Sequence, residues 1–405
     1  MLKIQKKDGS IEAFSSQKIV SAIRKSANRA MYDLSDEQCR RVVDLTLAHL
    51  AEHGGDVAPV ANVHNAVERA LDDVAPDVAK CYRDYRNYKQ DFVHMLDDVY
   101  RKSQAIRYIG DRNNANTDSA LVPTQRSLIY NELSSALYKK FFLNREEREA
   151  MKDGYIYIHD RSARLDTMNC CLFDMENVLT GGFEMGNVWY NEPKTLDVAF
   201  DVISDVAISA AACQYGGFTI PEVDKILAPY AEKSYQKYFE EYTEIAAYNN
   251  LGDHEDVPTA ADEYAVKKVQ RDMEQGFQSW EYRFNTVGSS RGDYPFIAVS
   301  FGLDNSRFGR MASMTCMNVR AGGQGAAGHK KPVLFPKLTF LYDEELHGEG
   351  KPMEDVFECG VDCSTKAMYP DFLSLTGEGY IPSMYKKYGR VVSLMGCRAS
   401  LSPWF

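Results

Sequence analysis

Val391, Val392 and Leu394 form a short apolar run of β character that stops at Met395-Gly396-Cys397. A glycine directly before a cysteine lets the backbone turn sharply and come close to another group. A fold that carries this stretch therefore delivers one sulfur at the tip of a loop. The plain alternative is a small buried thiol, since free cysteine is among the most buried residue types. The rest of the chain has to separate the two.

With 405 residues the chain can build a large core and more than one domain. It contains no apolar run of about eighteen residues, and its opening Met1-Leu-Lys-Ile-Gln-Lys-Lys lacks an apolar signal core. The expectation is a cytoplasmic protein with no membrane span. Nine cysteines at irregular spacings fit reduced thiols. A net charge of −11 argues against sequence-independent DNA binding, which rests on lysine and arginine, yet leaves room for a local basic pocket that holds a phosphorylated small molecule.

Residues 2–5 alternate like a strand, Lys6-Lys7-Asp8-Gly9 supplies a hairpin turn, and residues 11–14 return as a second strand. Ser15 or Ser16 caps a helix with the apolar stripe Ile19, Val20, Ala22, Ile23 and Ala27. A second helix is expected over 35–53, ended by Gly54-Gly55. A third carries Val60, Val63, Val67 and Leu71, and a fourth follows Pro76 with Ala79, Tyr82, Tyr85 and Tyr88. Lys7 and Lys18 suit phosphate as compact point charges, with backbone N–H groups around Gly9 as further donors. Without such a ligand the same residues make a solvated hairpin beside an amphipathic helix. Residues 92–107 read as a separate helix, 110–119 as a polar linker, and 128–142 and a segment opened by Asn144 as further helices.

Gly154-Tyr-Ile-Tyr-Ile-His-Asp160 alternates as a strand. No third ligand stands near His159 and Asp160 at a metal-binding spacing, so a hydrogen-bonding role at the strand's end is expected. In Asn169-Cys170-Cys171-Leu-Phe-Asp174 the adjacent cysteines on a strand point to opposite faces. A buried helix over 197–213 leads to Gln214-Tyr-Gly-Gly-Phe-Thr-Ile-Pro221, whose glycines permit close backbone approach. Helices over 230–249 and 261–280 flank an acidic loop. A Gly/Ser loop with Ser289 and Ser290 precedes a strand over 294–302, and 332–340 reads as a buried strand. Cys359 and Cys363 sit at i and i+4 on a helix but lack two further ligands, so no metal site is expected.

The N-terminal pattern resembles the ATP-cone, through Lys7-Asp8-Gly9, Phe14, Lys18-Ile19, Ala22-Ile23, Val63-His64-Asn65-Ala66-Val67-Glu68, Tyr82, Tyr85 and Arg86. The remainder resembles the anaerobic (class III, glycyl-radical) ribonucleoside-triphosphate reductases. The matching stretches are Tyr157-Ile158-His159-Asp160, Asn169-Cys170, Gly181-Gly182-Phe183, Gln214 through Pro221, Pro295-Phe296 with Phe301-Gly302, and Met395-Gly396-Cys397-Arg398.

The resemblance implies an α/β chain in three parts. Residues 1–95 would be an ATP-cone, a β-hairpin plus four helices; 96–150 a helical connector; and 151–405 the N-terminal portion of a ten-stranded α/β barrel ending in a finger loop. Cys397 would carry a thiyl radical that opens reduction of a ribonucleoside triphosphate, and Cys170 would face it across the substrate. Asn169, Ser289, Ser290 and Gly396 would line the substrate. Lys7, Asp8, Gly9, Phe14, Lys18 and His64 would bind ATP or dATP as allosteric effectors. The implied partners are a radical S-adenosylmethionine activating enzyme and further copies of the chain, as a homodimer or higher oligomer, with neither DNA nor membrane among them.

The family's structural zinc and glycyl radical belong to a C-terminal part that does not follow Phe405, so the expectation is the N-terminal portion of a longer enzyme. Two alternatives stand beside this reading. One is a catalytically inactive, nucleotide-binding regulatory protein that uses the cone without turnover. The other is a glycyl-radical lyase, which offers no reason for a cone and carries paired finger cysteines where this chain has Gly396-Cys397.

Overall fold

A computed structural model describes residues 2–52, 55–109, 120–164, 168–249, 256–286, 292–389 and 393–395. The chain divides into two compact units, Met1–Arg101 and Lys102–Phe405.

In the first unit β1 (Lys3–Gln5) and β2 (Ile11–Ala13) form the expected hairpin, and β3 (Val57–Pro59) adds parallel to β1. That third strand carries no sequence signal of its own, because three residues ending in proline show no periodicity. Helix α1 (Ser16–Arg29) and α2 (Asp36–Ala51) follow. A capping box starts α2: Ser35 accepts from the Gln38 backbone N–H while the Gln38 side chain accepts from that of Ser35. Such a box is worth about 1 kcal/mol. Next come α3 (Val60–Val74) and α4 (Pro76–Ile109). The fourth cone helix and the helix expected over 92–107 are thus one continuous helix, because no glycine, proline or cap interrupts residues 77–109. Ile23, Val42, Val67, Leu71 and Val78 meet in the core of this unit.

The second unit opens with α5 (Val122–Phe141) and α6 (Arg145–Lys152), the latter started by a capping box of Asn144 and Glu147. Strand β4 (Cys171–Leu172), α7 (Met175–Leu179), the hairpin β5 (Phe183–Met185) and β6 (Val188–Tyr190), and α8 (Leu196–Ala212) follow. Then come β7 (Phe218–Ile220), α9 (Val223–Tyr248), α10 (Val257–Phe284) and β8 (Ile297–Phe301). The chain continues through α11 (Arg307–Gly322), β9 (Lys337–Tyr342), α12 (Glu344–His347), α13 (Glu354–Ala367), β10 (Asp371–Ser374) and α14 (Tyr380–Tyr388).

Five strands pair in the order β10-β9-β8-β7-β4, all parallel. Each parallel step needs a crossover, and helices provide it. Every residue of the central β8 is buried, as expected of a parallel strand covered on both faces. Phe218, Val299, Phe301 and Phe340 of the sheet share a core with Phe200 of α8 and Phe277, Trp280 and Phe284 of α10. The Trp280 indole N–H donates to the Phe200 carbonyl at 2.9 Å, which satisfies the only polar atom of that buried ring.

Two strand expectations change. Residues 154–160 form no strand. Among the described residues they have no ladder partner, and Tyr155 and Tyr157 are each 84% exposed. Alternation admits a strand but does not supply the neighbour that a strand requires. The strand expected over 332–340 begins only at Lys337. Residues before it are held by one side chain instead: Asn285 Oδ1 accepts from Leu334 N at 3.2 Å and Phe335 N at 3.0 Å, and its Nδ2 donates to Phe335 O at 2.6 Å. Pro332 and Pro336 have no ladder donor to offer. Gly396, Cys397, Ser289 and Ser290 lie outside the described residues, as do Val391 and Val392.

Candidate active site and effector site

In the second unit Asn169 and Cys170 stand directly before β4, opposite Gly216 and Gly217, which lead into β7. The Gly217 N–H donates to Cys170 Sγ at 3.2 Å, and the thiol reaches Asn169 Oδ1 at 3.7 Å. Asn169 Nδ2 donates to Asp160 Oδ2 at 3.0 Å, and His159 Nε2 meets the same oxygen at 3.2 Å. The two sequence stretches that looked separate, His159-Asp160 and Asn169-Cys170, thus form one polar row. Cys171 turns away, as alternation requires. Its thiol donates to Gln214 Oε1 at 3.1 Å, and burial pushes it up. Gln214 is 3% exposed, so this bond satisfies an otherwise costly buried amide.

At the C-terminal ends of the strands two buried groups hold the backbone. Asp224 Oδ2 accepts from the N–H groups of Gly302, Leu303 and Asp304 at 2.8, 3.0 and 3.0 Å, and burial raises its carboxyl. His347 Nε2 bonds the Gly302 carbonyl at 2.8 Å while Nδ1 accepts from Asp343 N at 3.0 Å. A carbonyl only accepts, so Nε2 carries the proton, and burial disfavours a second proton on Nδ1, which lies 3.0 Å from both the N and the O of Asp343. Cys359 and Cys363 lie on α13 as expected, and Cys363 donates to Met317 O at 3.2 Å. Among the described residues no group of three His, Cys, Asp or Glu side chains is arranged to hold a metal ion.

In the first unit the hairpin and the helices place cations around His64. Its Nδ1 lies 2.7 Å from the Tyr82 hydroxyl, and burial followed by the charges of Arg86, Lys7 and Lys89 lowers its pKa. Burial pushes Tyr82 up to about 12, so the phenol keeps its proton and can donate it to Nδ1. The imidazole then presents Nε2–H as a donor. Lys18 and Lys6 both pair with Glu12, at 2.8 and 3.0 Å. Asp8 accepts from Ser10 N at 2.9 Å and Ser10 Oγ at 2.6 Å, which closes the turn at Gly9, where φ is +83°. Phe14 packs half-buried on the cone core. Lys6, Glu12, Arg86 and Lys89 were not singled out as binding residues from the sequence. For Arg86 and Lys89 on α4, the spacing from His64 along the chain hides a proximity that the packing of α3 on α4 creates.

The family model of the ATP cone domain matches residues 2–91, which makes this a mixed α/β protein with a cone at its N-terminus. The model of the anaerobic ribonucleoside-triphosphate reductases matches residues 113–404, and the chain belongs to that family. The anaerobic ribonucleoside-triphosphate reductase of Escherichia coli K12 is 30% identical over 411 residues, covering 99% of this chain and 54% of its own length. That of enterobacteria phage T4 is 33% identical over 297 residues, covering 72% of this chain and 46% of its own. A crystal structure of the Thermotoga maritima anaerobic ribonucleotide reductase with dATP and CTP superposes with a TM-score of 0.41 at 13% identity, covering 72% of this chain and 50% of that one. The chain spans about half the length of the curated relatives it matches. No helix among the described residues is long and apolar enough to cross a membrane.

Proposed function

We propose that the chain serves the anaerobic reduction of ribonucleoside triphosphates to 2′-deoxyribonucleoside triphosphates, under allosteric control by ATP and dATP. The observation that carries this reading is the reductase match over residues 113–404, in which Cys170 is held beside Asn169 at the first parallel strand. In this reading residues 1–95 bind effector, 96–150 connect, and 151–405 carry the chemistry. Cys397 removes the 3′-hydrogen of the ribose as a thiyl radical. Cys170 supplies one hydrogen during reduction of the 2′ carbon and an external reductant, formate or a dithiol protein, supplies the remaining equivalent, with the 2′-hydroxyl leaving as water, while Asn169, Ser289, Ser290 and Gly396 hold the sugar. A glycyl radical, made by a radical S-adenosylmethionine activating enzyme, supplies the oxidising equivalent to Cys397. The working assembly is a homodimer or higher oligomer in the cytoplasm.

For the effector, the residues present fit a triphosphate. Lys7, Arg86 and Lys89 already depress His64 by their positive charge, which is the field an anion needs. Lys18, now on Glu12, can turn to a phosphate oxygen, and Lys7 can do the same from the hairpin. Asp8 and Gly9 shape the turn, and Phe14 seats it on the cone.

The test is an anaerobic assay of deoxyribonucleotide formation by the enzyme completed with its glycyl-radical part, run with an activating enzyme and S-adenosylmethionine beside equilibrium ATP binding. Cys397→Ser should abolish product and leave ATP binding unchanged. His64→Ala should weaken ATP binding about tenfold, the size of one charge-assisted hydrogen bond. Product from the Cys397→Ser protein would refute the thiyl assignment. ATP binding without turnover in that completed enzyme would identify the regulatory alternative.

A further inference from the structure

Asp160 has a backbone that a side chain rarely adopts, with φ +49°, and a half-buried carboxylate that caps no helix. A left-handed residue other than glycine is strained, which aspartate tolerates better than most. What that conformation achieves is the placement of Oδ2 between His159 Nε2 at 3.2 Å and Asn169 Nδ2 at 3.0 Å. A carboxylate only accepts, so it dictates which end of the Asn169 amide faces it. With the amide nitrogen drawn to Asp160, the carbonyl oxygen Oδ1 is the end left for Cys170, 3.7 Å from the sulfur. An amide oxygen next to a sulfur takes the S–H hydrogen bond and disfavours a thiolate. An amide nitrogen in its place would do the reverse.

We propose that Asp160 is a positioning residue for Cys170, fixing the Asn169 amide so that its oxygen accepts from the thiol and Cys170 is kept in the S–H form. The catalytic meaning rests on the reductase reading above, in which Cys170 must have a hydrogen to give. The titratable groups around the sulfur are His159 and Asp160 from the preceding loop, Cys171 next in the chain, and Tyr215, whose hydroxyl meets Ser162 Oγ at 3.3 Å. Gly216 and Gly217 on the facing segment bring none; the Gly217 N–H donates to the sulfur, and the Asn169 amide is the partner whose two ends act on it in opposite directions.

The experiment is the pH dependence of Cys170 alkylation by iodoacetamide in the full chain, with Cys170, Cys171 and the exposed Cys213 read separately by peptide mass spectrometry. Asp160→Gly removes the carboxylate and suits the positive φ, so the fold is retained. The freed amide then offers N–H to sulfur, and the alkylation midpoint of Cys170 should fall by about one pH unit, roughly tenfold more thiolate at a given pH. In an Asn169→Ala background, Asp160→Gly should have no effect. An unmoved midpoint in Asp160→Gly overturns the proposal. So does a shift that persists without Asn169, or one shared by Cys213. None of these readouts needs turnover. A chain that fails the reductase assay can still pass this test, and a functioning reductase can fail it.

Discussion

A Cβ on Gly216 would stand 2.4 Å from Asn169 Oδ1, 2.5 Å from Cys170 Sγ and 2.6 Å from the Asn169 carbonyl oxygen. The last of these is backbone that bonds the Gly216 N–H, so it cannot swing aside. Gly216→Ala should therefore push Asn169 and Cys170 out of their row and cost about 1–3 kcal/mol. A fall in the unfolding midpoint together with a changed alkylation rate at Cys170 would register it. Gly322→Ala, where a Cβ meets nothing within 4 Å, is the control that should be silent. The need for glycine at 216 was legible in the sequence as a wish for close approach. What it approaches was not, because Asn169 lies 47 positions earlier than Gly216.

Between elements, the buried ion pair of Glu281 on α10 and Arg320 on α11 is the polar contact with most at stake. Arg320 is fully buried and Glu281 is 3% exposed. Arg320 Nε donates to Glu281 at 2.6 Å and Nη2 to the Pro336 carbonyl at 2.6 Å, and Gln324 also donates to Glu281. Removing one partner strands the other charge, so Arg320→Met should cost about 3–5 kcal/mol, whereas Arg320→Met with Glu281→Leu should cost much less. Urea unfolding followed by the fluorescence of Trp280, which lies in the same core, measures both. Equal destabilisation by the single and double variants would mean that packing, not charge, holds the two helices. The sequence places the two residues on two amphipathic helices but cannot pair them.

For the molecule as a whole, two half-buried or buried imidazoles set the acid limb of stability. His64 and His347 are both held below the ordinary value of 6.5, each chiefly by burial. The unfolded chain then binds more protons than the folded one as pH drops below 6.5, so stability should fall with pH in that window. Asp262, paired with Arg307 at 2.8 Å, does not share it: drawn down to about 2, it loses its contribution only in strong acid, while Asp224 and Glu222, both raised by burial, act with the opposite sign. His347→Gln should flatten the fall below pH 6.5 as reported by tryptophan fluorescence. An undiminished slope would remove His347 from the account.

Local chemistry by itself determined the cone hairpin, the helix that starts at Asn144, the strand β8, and the motif residues Asn169 and Cys170. Caps, turns and periodicity act within a few residues, and so do the motifs that carry the family resemblance. Tertiary structure alone decided what depends on partners distant in the chain. It left residues 154–160 without a ladder, tied residues 334–335 to Asn285, ringed His64 with Lys7, Arg86 and Lys89, and set the Asn169 amide against Asp160. A strand needs a neighbour and an amide needs an acceptor, and sequence adjacency specifies neither.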